Sequence, residues 1–130
     1  MPTTCLLVEQ NDDLTYLIQR YGQEAGIRII PASSLEAAER AREEQPAAVL
    51  LDADLPAQRG WEVLHALKAD DRTRRIPVVM YAGMDQRARM LAEGVDEYLQ
   101  LPFLRKDFLA ALAAVGAQGE PAGPAGSVAL

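Results

Sequence analysis

The amino-acid sequence predicts a single α/β domain with five strands and five helices around a parallel sheet. Short apolar runs of strand length alternate with segments in which apolar residues recur at helical spacing. The run 47–51 is apolar at every position, which is typical of a strand covered by helices on both faces. With 130 residues, 49% of them hydrophobic and 25% charged, the chain is long enough to bury one core without metals or disulfides.

Local signals mark the ends of the predicted elements. Asn11 precedes the first helix and is a typical N-cap residue, and Ser33 with Glu36 forms a capping box that opens the second helix. The predicted strands are 4–9, 27–31, 47–51, 77–81 and 97–101. The predicted helices cover 14–21, 33–44, 61–67, 84–93 and 104–115.

Composition changes after the last predicted helix. Residues 116–130 contain four Gly, two Pro, four Ala and one charged residue, a composition that is typical of flexible tails and linkers. We therefore predict a domain over residues 1–115 and a flexible tail over 116–130.

Charge and hydropathy exclude several classes of function. The chain has 13 Lys plus Arg against 19 Asp plus Glu, a net charge of -6, and no basic cluster of the kind that binds nucleic acid directly. No apolar run approaches a bilayer span, and residues 1–8 lack the pattern of a secretion signal. The lone Cys5 lies in an apolar run, so we predict a buried thiol. These features favour a cytoplasmic protein without membrane contact.

Acidic residues follow the first and third predicted strands. Glu9 ends the first strand, and Asp52 and Asp54 follow the third. The carboxyl ends of parallel strands meet at one edge of a sheet, so we expect these carboxylates to converge. They would repel one another unless a cation lies among them, which predicts a Mg²⁺ site. Acids at strand ends also cap the helices that follow, which best explains Asp12 and Asp13.

One stretch of the sequence resembles a family motif. Residues 49–56 read Val-Leu-Leu-Asp-Ala-Asp-Leu-Pro, and Gly60 follows four residues after the proline. This stretch resembles the phosphoacceptor loop of bacterial response-regulator receiver domains, the CheY-like family. The resemblance covers residues 4–115, and it also includes the segments 6–9, 76–80, 94–99 and 101–103.

The resemblance implies both a fold and a set of roles. The fold would be a doubly wound, flavodoxin-like (βα)5 domain with strand order 2-1-3-4-5. Asp52 would accept a phosphoryl group from a sensor histidine kinase, Tyr98 would be the aromatic switch residue, and a cis bond would precede Pro102.

Three positions depart from the family pattern. Gln10 stands where the family has a second acid that binds Mg²⁺ directly, and a neutral amide is a weaker ligand for a hard cation. Ala82 stands where a Ser or Thr hydroxyl receives a phosphoryl oxygen, and Leu101 where a lysine pairs with the phosphoryl group. Losing one acid and one lysine together leaves the formal charge of the site unchanged. We therefore expect a site altered as a unit, in which the three carboxylates hold Mg²⁺ only weakly.

The neighbours of these positions are not expected to replace the missing groups. Side chains alternate along a strand, so Tyr81 is expected to lie on the sheet face opposite Ala82. Gln100 is likewise expected on the face opposite Leu101. Ala82 and Leu101 would then share a face that neither neighbour reaches.

These features favour a non-enzymatic signalling receiver. One version has Asp52 phosphorylated with an altered, weakly coupled output, and the favoured version is a pseudo-receiver that binds its partner independently of phosphorylation. The partner would be a sensor histidine kinase or another signalling protein, bound through the fourth helix, fifth strand and fifth helix. The protein would be a monomer or a weak homodimer through that face, with Met90 and Leu91 in the core. The residues expected on the face are Met84, Arg87, Tyr98, Lys106 and Ala110.

An enzyme is the competing interpretation. Asp52 and Asp54 after an apolar strand also resemble the paired aspartates of haloacid-dehalogenase-type phosphatases, in which the first is a nucleophile and the second a general acid. The chain is short for that family, and Ala82 and Leu101 depart from its pattern as well. We therefore expect no phosphatase activity.

Overall fold

The computed structural model describes residues 3–118, which form one five-stranded sheet flanked by helices. The strands are β1 (Thr3–Val8), β2 (Ile27–Pro31), β3 (Ala48–Asp52), β4 (Val78–Ala82) and β5 (Glu97–Gln100). The helices are α1 (Asp12–Glu24), α2 (Ala37–Glu44), α3 (Arg59–Ala69), α4 (Arg87–Ala92) and α5 (Arg105–Ala114), and a short 3-10 turn (Pro56–Gln58) precedes α3. All strands are parallel in the order β2-β1-β3-β4-β5. The predicted fold class is therefore confirmed.

Two apolar cores lie on the two faces of the sheet. β3 and β4 are buried at every position, so their alternate side chains enter both cores. One core contains Leu6 and Met80 together with side chains of α2, α3 and α4. The other contains Leu7 and Tyr81 together with side chains of α1 and α5. Helices on both faces leave the carboxyl edge of the sheet open, and the acidic residues lie there.

The N-termini of α1 and α2 follow the predicted cap signals. Asn11 Oδ1 accepts the N–H of Leu14 at 2.9 Å, which confirms Asn11 as the N-cap of α1. Ser33 Oγ accepts the N–H of Glu36 at 3.2 Å, as the capping box predicts. The residues after Ser33 form a turn, however, and α2 begins only at Ala37.

The fourth helix is shorter than the predicted segment 84–93. It begins at Arg87, whose N–H donates to Asp85 Oδ1 at 3.0 Å in the preceding loop. Met84 therefore lies in the loop before α4 and not on the helix.

The folded part of the chain extends beyond the predicted boundary at residue 115. Gly116 ends the last helix with φ at +79°. Ala117 is fully buried, and Thr3 Oγ1 donates to the carbonyl oxygen of Gln118 at 2.7 Å. The first three residues of the predicted tail thus belong to the folded domain, because Ala117 is buried and Gln118 is hydrogen-bonded to the first residue of β1. The rest of that tail, 119–130, lies outside the described residues.

Cys5 is a buried free thiol, as predicted. It is fully buried in β1, and this burial raises the pKa of the Cys5 thiol to about 12, so the group stays protonated. None of the helices within residues 3–118 has the length and apolarity that a membrane span requires.

Gly60 allows α3 to approach the strand that ends in Asp52. A Cβ atom added at Gly60 would lie 2.2 Å from the carbonyl oxygen of Asp52, so a side chain there must push the helix away. We expect Gly60→Ala to lower the free energy of unfolding, measured by urea denaturation, by about 2 kcal/mol. Gly83→Ala is the matched control, because its Cβ would meet its nearest atom, Asp54 Oδ2, at 3.5 Å. Equal stabilities for the two variants would contradict this prediction.

Candidate functional site

Three acidic side chains lie at the carboxyl edge of the sheet, beside a cavity of about 520 Å³. Glu9 directly follows β1, Asp52 ends β3, and Asp54 lies in the loop after β3. The fold thus brings together the three carboxylates that the sequence singled out. The cavity is lined by Glu9, Asn11, Asp13, Leu14, Leu17, Asp52, Asp54 and Leu101.

The Glu9 carboxylate is held by three protein donors. Its Oε1 atom accepts the hydroxyl of Tyr81 at 2.6 Å. Its Oε2 atom accepts the backbone N–H groups of Gln10 at 3.0 Å and Asn11 at 2.9 Å. Both oxygens of Glu9 are therefore engaged by the protein.

Asp52 is the most buried acid of the site, with 9% of its surface exposed. Its Oδ1 atom accepts the N–H of Asp54 at 2.7 Å. Burial, and to a lesser extent the negative charge of Glu9, raises the pKa of Asp52 from 3.8 to about 7, although the hydrogen bond from Asp54 works in the opposite direction. A carboxyl group with this pKa is partly protonated at neutral pH, which relieves its repulsion with Glu9.

Asp54 connects two loops at the edge of the sheet. Its Oδ2 atom accepts the N–H of Gly83 at 2.7 Å, and its Oδ1 atom accepts a longer bond, 3.4 Å, from Gln86 Nε2. Gly83 follows β4, and Gln86 precedes α4. The Asp54 carboxylate therefore ties the loop after β3 to the loop between β4 and α4.

The side chains of Ala82 and Leu101 supply no polar group to this edge. Ala82 is 1% exposed at the end of β4. Leu101 lines the cavity and packs against the core on the α1 and α5 face. Neither side chain carries a hydrogen-bond donor or a charge.

The predicted alternation of side chains between the two faces of the sheet is right within β4. The prediction that Ala82 of β4 and Leu101, after β5, share a face is wrong. Tyr81 and Ala82 lie in opposite cores, as predicted. Tyr81 pairs with Leu99, so Leu101, two residues further on, packs on the face of Tyr81 and not on that of Ala82. The prediction that Tyr81 does not reach the site is also wrong, because its hydroxyl extends beyond the strand end to Glu9.

The acidic side chains do not fit a magnesium ion in this arrangement. Both oxygens of Glu9 accept protein donors, and the Asp54 carboxylate is bound to Gly83. Within residues 3–118, no group of three His, Cys, Asp or Glu side chains is placed to hold a metal ion. The weak Mg²⁺ site at the three carboxylates stays a prediction, and a cation there would compete with the N–H and O–H groups that these carboxylates already accept.

A cluster of charged and aromatic side chains ties α4 to α3. Glu93, directly after α4, accepts a hydrogen bond from Arg89 at 2.6 Å and is bonded to His65 of α3. The Arg89 guanidinium carbon lies 3.8 Å from the ring centre of Trp61, also in α3. These contacts join α4, through Arg89 and Glu93, to Trp61 and His65 of α3.

Four of the predicted partner residues lie on α4, β5 and α5, and the fifth, Met84, lies in the loop before α4. Tyr98 is half-buried, and the Arg87 guanidinium carbon lies 4.9 Å from the centre of its ring. Met84 is 77% exposed, and Lys106 and Ala110 are exposed. The bond between Leu101 and Pro102 is cis, as the resemblance implied.

One prediction about α4 is right and one is wrong. Met90 is 2% exposed and belongs to the core, as predicted. Leu91 is 61% exposed and not in the core, because the short helix presents it to solvent. Leu91 therefore adds apolar area near the predicted face.

Comparison with protein families agrees with the fold. A family model described as the response regulator receiver domain matches residues 5–113. The chain belongs to the response regulator receiver domains. Such domains act in two-component signalling and interact with histidine kinases.

Two relatives show the extent of the sequence similarity. The polar-differentiation response regulator DivK of Brucella anthropi is 33% identical over 106 residues, which are 78% of this chain and 86% of DivK. The phosphate regulon transcriptional regulatory protein PhoB of Escherichia coli K12 is 30% identical over 119 residues, which are 88% of this chain and 52% of PhoB. The chain thus spans about half the length of PhoB.

A solved structure is similar over almost the whole domain. The receiver domain of the sensor histidine kinase PA1611 of Pseudomonas aeruginosa PAO1 superposes with a TM-score of 0.79 at 25% identity. The match covers 89% of this chain and 99% of that structure, which holds a magnesium ion in its active-site cleft.

The family assignment does not support the phosphatase alternative. The receiver match extends over both Asp52 and Asp54. The Asp54 carboxylate, which would have to act as a general acid, instead accepts the N–H of Gly83. The pairing of the two aspartates in the sequence is that of the receiver loop.

Several site residues of this receiver domain were missed by sequence reasoning. Tyr81 has the pattern of a core residue, and no spacing signals that its hydroxyl reaches Glu9. The Gly83 N–H group is a backbone donor, so the residue type at position 83 does not indicate its hydrogen bond to Asp54. The spacing of Arg89 and Glu93 is the one signal that could have been found, since residues four apart on a helix face one another.

Asp52 should make the stability of the receiver domain depend on pH. Its raised pKa means that the folded chain binds a proton more tightly than the unfolded chain, so stability falls as pH rises from about 4 to about 7. We expect Asp52→Asn, which keeps the acceptor for the Asp54 N–H, to remove this fall. At pH 8 the variant should be more stable than the wild type by about 1 to 2 kcal/mol. This is less than the shift in pKa multiplied by about 1.4 kcal/mol per unit, because water reaches the carboxyl group. Chemical denaturation at pH 4 and pH 8 measures this, and parallel pH profiles would contradict it.

Asp54 should restrain the loop after β4. We expect Asp54→Ala to speed amide hydrogen exchange at Gly83 by about tenfold, because a charge-assisted hydrogen bond is lost. Asp85→Ala is the control, since Asp85 accepts the N–H of Arg87 and leaves Gly83 untouched. Exchange at Gly83 that is equal in both variants would show that the Asp54 contact does not hold the loop.

Proposed function

We propose that this receiver domain is a non-enzymatic protein-interaction module whose output does not depend on phosphorylation of Asp52. The observation that carries the proposal is the polar environment of Asp52. Ala82 and Leu101 contribute neither a donor nor a charge, and the Gly83 N–H is already bonded to Asp54. A phosphoryl group on Asp52 would therefore meet few free groups to stabilise its charge or to transmit its presence.

The contacts of α4 support the same proposal. An output that depends on phosphorylation requires some element to differ between the two states. Here Glu93 binds both Arg89 and His65, and Arg89 stacks on Trp61, so α4 is fastened to α3. Movement of α4 would break these contacts with no new donor or acceptor at Ala82 in exchange.

The proposed partner surface is the one formed by α4, β5 and α5. Arg87 and Tyr98 are in contact on it, and Met84, Leu91 and Leu104 are exposed in its helices or next to them. Its exposed cations include Arg87 and Lys106. A partner with acidic and apolar groups complements this surface, and we propose a sensor histidine kinase or another signalling protein.

The remaining parts of the proposal follow the same interpretation. Asp52 is the acceptor of any phosphoryl group that the domain receives, and its affinity for Mg²⁺ is weak because Glu9 and Asp54 are engaged elsewhere. The protein is a monomer, or a weak homodimer through the partner surface. It works in the cytoplasm, where its single Cys5 stays reduced.

The proposal is tested with acetyl phosphate and Mg²⁺ on the wild type beside Asp52→Ala. Intact mass spectrometry reports whether one phosphoryl group is added, and NMR spectra of the same samples report on Arg87, Tyr98 and Lys106. A receiver that has the complete family pattern is labelled in parallel as a positive control. We expect no Asp52-dependent adduct, and signals of the partner surface that do not move. An adduct that shifts these signals, with both effects lost in Asp52→Ala, would contradict the proposal.

A further inference from the structure

The hydroxyl of Tyr81 has a role that its position in the core does not explain. The side chain is 1% exposed, and its ring lies edge-on to Phe103 at 5.9 Å between centres. A buried phenol hydroxyl is costly unless it is hydrogen-bonded. Tyr81 donates to Glu9 Oε1 at 2.6 Å, so the apolar core delivers one polar group to the acidic edge.

Glu9 and Asp52 form an acidic pair at this edge, and the described part of the chain provides no basic partner for it. Among residues 3–118, no Lys or Arg forms an ion pair with Glu9 or Asp52. Leu101, which packs on the same face as Tyr81 and lines the same cavity, adds no charge. The donors that Glu9 does receive are two backbone N–H groups on one oxygen and the Tyr81 hydroxyl on the other. The Tyr81 hydroxyl is thus the side-chain donor to Glu9, and it occupies Oε1, the oxygen to which a cation would bind.

We propose that Tyr81 is a positioning residue that takes the place of a cation at Glu9, so that the acidic pair is stable without a metal ion or a basic side chain. Its hydroxyl donates to Glu9 Oε1 and orients the Glu9 carboxyl group beside Asp52. The same bond occupies one acceptor site of Glu9 Oε1, so that a divalent cation at this oxygen would compete with the hydroxyl. This role concerns the charge balance of the site and holds whether or not Asp52 accepts a phosphoryl group.

Magnesium binding by the full 130-residue chain tests the proposal. Mg²⁺ is titrated by isothermal calorimetry into the wild type, Tyr81→Phe and the control Tyr21→Phe. Tyr21 packs in the same core, with its ring 5.9 Å from that of Phe108, so the control removes a hydroxyl from the same core. We expect Tyr81→Phe to bind Mg²⁺ about tenfold more tightly than the wild type because Glu9 Oε1 is free, and Tyr21→Phe to bind as the wild type does. Binding by Tyr81→Phe that is unchanged or weaker would overturn the proposal.

A basic side chain supplied at Leu101 provides an independent test. If Tyr81 takes the place of a cation, Leu101→Lys should compensate for the loss of its hydroxyl. We expect Tyr81→Phe to lower the folding equilibrium constant about tenfold in the wild type but less than about threefold in the Leu101→Lys background. Equal losses in the two backgrounds would show a merely structural hydroxyl and would overturn the proposal.

The second test also applies if the single variant Tyr81→Phe does not fold. The double variant with Leu101→Lys should then fold, and its Mg²⁺ binding is compared with that of Leu101→Lys. Failure of the double variant to fold would overturn the proposal as well, because the lysine would not have replaced the hydroxyl.

Discussion

Two carboxyl groups, Glu9 and Asp52, lie together at the carboxyl edge of a parallel sheet, and the groups around them are arranged to tolerate that repulsion. The parallel topology makes the convergence unavoidable, since β1 and β3 are neighbours and end at the same edge. Protein donors engage both oxygens of Glu9, and a raised pKa allows Asp52 to lose its charge. The site is therefore balanced by hydrogen bonds and a proton.

The same balance connects the site to the rest of the domain. Tyr81 links the edge to the core on the α1 and α5 face, and Asp54 links it to the loop before α4. α4 in turn is fastened to α3 through Glu93. We propose an output that does not depend on phosphorylation because these polar groups are already paired, so that a phosphoryl group would find few of them free to rearrange.

The sequence predicted the layers and the strand ends well because these depend on hydrophobic period and turn residues. The apolar run before Asp52 and the cap at Asn11 are local signals, and both elements formed as expected. Tyr81 was misjudged because alternation describes where Cβ points, whereas its hydroxyl lies well beyond Cβ and passes the strand end. The bond between Asp54 and Gly83 joins residues 29 positions apart through a backbone donor, which no residue pattern records.

The most direct measurement is a Mg²⁺ titration of the ¹⁵N-labelled wild-type chain, followed through the backbone amide signals of Gln10, Asn11 and Gly83. These N–H groups donate to the carboxylates that a cation would recruit. If the site is closed by its own donors, the three signals should stay in place up to about 10 mM Mg²⁺, since a cation would have to displace these donors or share the oxygens with them. Saturable shifts of these signals at lower concentration, with release of the Glu9 and Asp54 hydrogen bonds, would contradict the account.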